Sequence, residues 1–156
     1  MARSPETPTP GFLVWRLAMK WRVAVDRALA PLGLTHAQYT LVASLFGMDR
    51  SGRHPSQREL ADRVGLEPIY VSKLARALEA GGLLRRTEHP ADTRAVQLAL
   101  TERGKAVAVE AIAIVHDLLE QLTAPLGGAS SERTRALTRE LAVLLAAPPQ
   151  GKDNEQ

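Results

Sequence analysis

Ser72, Lys73 and Arg76 stand close together in the stretch YVSKLARALEAGGLLRR (70–86), with Arg86 at its end and Arg94 a little beyond. Ammonium and guanidinium groups in such a cluster donate hydrogen bonds to phosphate oxygens or to the acceptor edge of guanine, and a hydroxyl serves either. Ile69, just before them, offers apolar surface that suits a thymine methyl. None of this is bond-breaking chemistry. His36, His54, His89 and His116 are scattered, no glycine-rich phosphate loop follows a strand, and there is no G-x-S-x-G. His116 and Glu120 are four apart and could share a metal, but a lone pair of this kind is more often two surface residues. The absence of cysteine excludes disulfides, thiolate metal sites and a cysteine redox switch. No enzyme activity, catalytic residue, metal or cofactor is expected.

The basic residues need an element that turns them outward. Val71, Leu74, Ala75 and Leu78 fall at i, i+3, i+4 and i+7, one apolar face of a helix, which leaves Ile69, Lys73, Arg76 and Ala80 on the opposite side with Tyr70 and Ser72 on the flanks. Pro68 suits the first helical turn and Gly81–Gly82 a carboxyl-terminal cap. Taken alone, this is equally well an ordinary helix with a solvated charged face. The preceding SQRELADRVGL (56–66) has Ser56 followed three residues later by Glu59, a capping-box pattern, then Leu60, Ala61 and Val64 on one face, then Gly65. Two short helices across a glycine turn make a helix-turn-helix, whose second helix enters the major groove of DNA. LLRRT (83–87), the turn-like EHPAD (88–92) and RAVQLAL (94–100), with Val96, Leu98 and Leu100 at period two, then predict a β-hairpin wing. Thr101 is placed to cap a long helix after it.

At this point the chain resembles the MarR family of winged helix-turn-helix regulators over residues 12–147. The resemblance rests on LGLTHAQYTLVASL (32–45), SQRELADRVGL, YVSKLARALEAGGLLRR and the string Asp92-x-Arg94…Leu98-x-Leu100-Thr101-x-x-Gly104. Two positions depart from the family's habit: His89 stands where an acid often precedes the wing proline, and Glu67 where a serine often caps the second helix. The resemblance and the residues together imply DNA contacts from Ser56, Gln57, Pro68, Ile69, Tyr70, Ser72, Lys73, Arg76, Arg86 and Arg94. Arg94 would reach the minor groove, and Asp92 would orient the hairpin or a nearby arginine.

Charge agrees: residues 50–105 hold eleven Lys or Arg against seven Asp or Glu, and the rest of the chain nine against ten. The flanking helices carry more apolar surface than one neighbour needs. Residues 11–31 show a stripe through Leu13, Leu17, Trp21, Ala24 and Ala28 and a second through Phe12, Trp15 and Met19. Residues 101–123 and 130–146 are rich in leucine, isoleucine and valine, with Pro125 and Gly127–Gly128 between them. The fold expected is mainly α (α+β), a winged helix-turn-helix with a two-stranded β-wing and terminal dimerisation helices. It forms one domain over 11–147 with its DNA-binding core at 32–100, its dimerisation helices at 11–31 and 101–147, and disordered tails at 1–10 and 148–156. The partners expected are double-stranded DNA carrying a pseudo-palindromic operator, a second copy in a homodimer, and a small aromatic or lipophilic effector at Trp15, Met19, Arg22, His36 and Tyr39, whose binding releases a repressor. The readings that compete are a protein-interaction module built on a degenerate winged helix, and a metal-responsive regulator. With no signal peptide and no apolar run of about 20 residues, the chain is expected in the cytoplasm and away from membranes.

Overall fold

The computed structural model describes residues 7–148, and the chain divides into two compact units between Val115 and His116. The first unit opens with α1 (Pro10–Leu29), which begins where the sequence suggested a tail: Thr9 Oγ1 accepts the Phe12 N–H at 3.3 Å and Pro10 occupies the first turn. Residues 1–6 and 149–156, the remainder of the two expected tails, lie outside the described residues. α1 buries Val25 and Leu29 in its last turns, positions that neither expected stripe includes, and Asp26 between them accepts the N–H of His36 at the start of α2 (His36–Asp49). Phe12, Leu13, Val14, Trp15 and Leu17 remain about half exposed. Thr35 and Gln38 close a reciprocal capping box at the start of α2, which buries Leu41, Val42, Leu45 and Met48.

The helix pair forms as its pattern demands. α3 (Gln57–Val64) is capped by Ser56, whose Oγ accepts the Glu59 N–H at 3.1 Å, and α4 spans Pro68–Ala80. Gly65 between them has φ +70°, a left-handed turn that glycine takes without strain, and its N–H closes on the Ala61 carbonyl at 3.0 Å. Leu60 and Ala61 of α3 and Val71, Leu74, Ala75 and Leu78 of α4 are buried where the two helices pack on each other and on α2. Each large apolar side chain so buried stabilises by roughly 1.5–3 kcal/mol.

β1 (Leu84–His89) and β2 (Asp92–Leu100) form the antiparallel wing, in register from Leu84↔Leu100 to Glu88↔Val96. The strands run further than the sequence suggested, and the turn shrinks from 88–92 to Pro90–Ala91. Two side chains close it: His89 Nδ1 accepts the Ala91 N–H at 3.2 Å, and Asp92 Oδ1 accepts the Arg94 N–H at 3.0 Å. At the other end, Leu98 donates its N–H to the Pro55 carbonyl at 3.0 Å and Ser56 bridges to Gln97, so the loop before α3 lies along β2.

α5 (Glu102–Thr123) starts at the wing root. Thr101 Oγ1 donates to the Gly82 carbonyl at 2.7 Å and accepts the Gly104 N–H at 2.9 Å. Gly104 packs directly against the Leu83 backbone, where a side chain would collide. Within the first unit α5 buries Ala108, Ala111 and Val115. In the second unit, a one-turn 3₁₀ helix (Ala124–Leu126) and the positive-φ pair Gly127–Gly128 lead to α6 (Glu132–Ala146), capped by Ser131. Thr134 Oγ1 donates to the Gly128 carbonyl at 2.8 Å and Glu120 accepts the Ala129 N–H at 3.2 Å, which ties the turn to both helices. The apolar residues of α6, Leu137, Leu141, Val143, Leu144 and Leu145, are exposed. Among the described residues no helix is long and apolar enough to cross a membrane.

Candidate nucleic-acid interface

The surface with the chemistry singled out above is the outer side of α4 together with the wing, all within the first unit. Burying Val71, Leu74, Ala75 and Leu78 forces Ile69, Lys73 and Arg76 outward at 3.6 residues per turn, and Ile69 is 85% exposed. Pro68 and Tyr70 are exposed beside them, and Ser72 is half-buried. Glu67 takes the N-cap position but makes no side-chain cap bond, so its carboxylate stays exposed ahead of the helix. The helix dipole there favours that negative charge. Towards a polyanion the same carboxylate is repulsive, so Glu67 trims the attraction supplied by Lys73 and Arg76.

On the wing, Arg94 is exposed and forms no ion pair among the described residues. Its backbone N–H, and not its guanidinium, is what Asp92 holds. Asp92 therefore shapes the hairpin tip and leaves the Arg94 side chain free. His89, at the position where an acid was expected by resemblance, does comparable work through its ring nitrogen.

Two expected contacts have other occupations. Ser56 is buried, with its hydroxyl spent on capping α3. Arg86 faces inward at 21% side-chain exposure, with Nη1 3.9 Å from Glu79 Oε1 and with Nε buried and unpartnered. Gln57 is half-buried on the first turn of α3, its Oε1 also buried without a partner. Glu79, which the sequence reading passed over, meets Arg86 twice at the wing root: besides the ion pair, its Oε2 accepts the Arg86 N–H at 3.1 Å. Also unread was Asp49, which takes Lys105 of α5 at 3.1 Å and lies 3.7 Å from His54 Nδ1. The hydrogen bond that Lys105 donates to Asp49, with one to Glu102 adding to it, raises the Lys105 pKa above its ordinary value.

The five effector candidates are spread over α1 (Trp15, Met19, Arg22) and α2 (His36, Tyr39). Arg22 and His36 do meet, through Asp26: Arg22 Nε lies 3.7 Å from Asp26 Oδ2, and Asp26 Oδ1 accepts the His36 N–H at 2.6 Å. Burial lowers the His36 pKa, with Asp26 opposing and Arg22 reinforcing, and burial raises that of Tyr39. Of the five, only Met19 belongs to the open groove of about 680 Å³ on α1, alongside Leu13, Leu17, Val23, Arg16, Lys20 and Arg27. Trp15, 58% exposed, stands about 200° around the helix from Leu13 and so faces away from it. No group of three or more metal-ligating side chains occurs among the described residues, and the Glu120 carboxylate is engaged by Ala129.

A helix pair within a three-helix core, followed at once by a two-stranded hairpin, defines a winged helix-turn-helix protein. The MarR family model matches residues 34–96. The uncharacterized HTH-type transcriptional regulator YdcH of Bacillus subtilis (strain 168) is 36% identical over 110 residues, 70% of this chain and 75% of that protein. The HTH-type transcriptional repressor Mb2911 of Mycobacterium bovis (strain ATCC BAA-935 / AF2122/97) is 32% identical over 121 residues, 74% of this chain and 83% of the relative. Among solved structures, the transcriptional repressor CouR bound to a 23-mer DNA duplex superimposes with a TM-score of 0.75 at 27% identity, covering 88% of this chain and 92% of that one. The chain belongs to the MarR family of transcriptional regulators, which are not enzymes.

Proposed function

We propose that this protein is a homodimeric, sequence-specific regulator of transcription that binds a pseudo-palindromic site on double-stranded DNA, represses there, and is released by a small aromatic or lipophilic anion. The observation that carries the DNA reading is the division of α4 into a buried apolar face and an exposed face bearing Ile69, Lys73 and Arg76, with the unpaired Arg94 on the adjoining wing. In this reading Lys73 and Arg76 donate to guanine or phosphate, and Ser72 to either. Ile69 meets a thymine methyl, while Gln57, Pro68 and Tyr70 contact the flanking backbone. Arg94 enters the minor groove, whose narrow, negative stretches attract a guanidinium. Half-sites then lie about one helical turn apart.

Dimerisation through residues 11–31 and 101–147 is supported by the half-exposed apolar surface of α1 and by the exposed leucines of α6, which are costly to leave in water. Repression is supported by the similar Mb2911 and CouR, each named a repressor. For the effector, the α1 groove combines apolar walls with Arg16, Lys20 and Arg27, a pairing that suits an amphipathic anion. The deciding experiment is selection of a binding site from a random DNA pool, followed by titration. Arg94→Ala is expected to weaken binding by about 1–3 kcal/mol without unfolding the protein, and Arg76→Ala to relax one symmetric pair of base positions. Unchanged affinity for Arg94→Ala would refute the wing's role, and an identical selected motif would reduce Arg76 to a phosphate contact.

A further inference from the structure

We infer that Glu79 is a positioning residue of this interface: through Arg86 it latches the root of the wing to the end of α4 and so sets where Arg94 stands. The inference rests on the DNA-binding reading above.

Four observations carry it. First, among the described residues β1 has only one strand partner, and Glu79 Oε2 reaches from α4 to accept the Arg86 N–H at 3.1 Å, while its other oxygen faces the Arg86 guanidinium. One side chain thus engages both the backbone and the side chain of the wing's third residue. Second, neither member is well placed for its own sake. Glu79 sits in the last turn of a helix, where the dipole disfavours an acid and no basic residue is present. Arg86 is drawn inward with Nε left without an acceptor, a cost that an exposed arginine would avoid. Third, the outer wing is loosely registered. After Glu88↔Val96 the ladder jumps to His89↔Asp92, so Thr93, Arg94 and Ala95 have no partner opposite them. The ladder alone does not fix Arg94. Fourth, Glu79, Arg86, Glu88 and Arg94 line one open cleft of about 290 Å³ in the elbow between α4 and the wing. That space would let the hairpin swing were the latch undone.

The alternative, that Glu79 is a bystander acid, predicts an effect of opposite sign. Removing a negative charge beside a surface that binds phosphates tightens binding; removing the latch weakens it. The test is a titration of full-length protein on the selected site with wild type, Glu79→Ala, Glu79→Gln, Arg94→Ala and the double variant Glu79→Ala/Arg94→Ala, alongside minor-groove footprinting under the wing. Glu79→Ala is expected to lose roughly tenfold in affinity, within the range of one good contact, and to lose wing protection while protection beneath α4 persists. Glu79→Gln, which keeps an acceptor for the Arg86 N–H, should recover much of the loss. The double variant should bind no worse than Arg94→Ala, because Glu79 acts through Arg94. Equal or tighter binding by Glu79→Ala, or additive losses in the double variant, would overturn the latch while leaving the DNA reading intact. Should Glu79→Ala not fold, Glu79→Lys serves: the latch predicts lost wing protection despite the added positive charge, a bystander predicts tighter binding. Wild-type protein that selects no DNA at all would overturn the latch together with the reading beneath it.

Discussion

Replacing Gly104 with alanine isolates the joint between the wing root and α5. In an ordinary helical position the exchange stabilises by about 1 kcal/mol, since alanine loses less backbone freedom on folding. At Gly104 the added Cβ would run into the Leu83 carbonyl oxygen and would lie 2.9 Å from the carbonyl carbon, both of them backbone atoms that no rotamer change can move aside. The first turn of α5 must therefore back away by roughly 1 Å, which as overpacking costs about 1–3 kcal/mol. Backing away also stretches the Thr101 hydroxyl between Gly82 and Gly104, at 2.7 and 2.9 Å, and a lost cap costs about 1 kcal/mol. Set against the propensity gain, the net expected loss is about 1–3 kcal/mol. The assay is equilibrium urea unfolding at one fixed protomer concentration, with the slope unchanged from wild type. Gly81→Ala is the control: the nearest atoms to its Cβ are at 3.5 and 3.6 Å and its φ is −77°, so it should be neutral or stabilising by up to about 1 kcal/mol. A Gly104→Ala protein as stable as wild type would refute the close-approach argument.

Deleting residues 1–20 removes the exposed half of α1 but keeps Val25 and Leu29, so the winged core should stay folded by circular dichroism while sedimentation shows the dimer lost; a deletion variant that remains dimeric would count against dimerisation through α1. Because the His36 pKa lies below its ordinary 6.5 in the fold, the folded chain binds fewer protons than the unfolded one between the two values. Its contribution to stability is therefore whole above that pH and is lost as pH falls through 6.5 towards the lowered value. Thermal melts from about pH 7.5 to about pH 5.5 should show a steeper decline for wild type than for His36→Gln; parallel declines would remove His36 as the cause.

What the sequence determined by itself is whatever a few neighbouring residues decide. The split of residues 68–80 into apolar and basic sides follows from a 3.6-residue period. Ser56, Gly65 and Thr101 mark element ends because caps and left-handed turns are satisfied within three or four positions. The wing's existence was legible in the alternation Val96, Leu98, Leu100, but its length was not, because His89 and Asp92 have the composition of a loop and yet use their side chains to tighten the turn to two residues. Three matters waited for the tertiary structure. Apolar residues ring α1 so fully that pattern cannot say which turns find a neighbour, and in the fold its buried residues are Val25 and Leu29. Gly104 was visible as part of a motif, but its reason is the Leu83 backbone, brought against it across the whole hairpin. Arg86 and Arg94 are the same residue in the same hairpin, yet Arg86 lies on the Leu84 side of β1 and meets Glu79 of α4, while Arg94 forms no ion pair among the described residues. An arginine's donors bind any acceptor, so its role depends on which acceptor the fold delivers, and the meeting of Arg86 with Glu79 is made by the turn between helix and strand, which leaves no signal in their spacing.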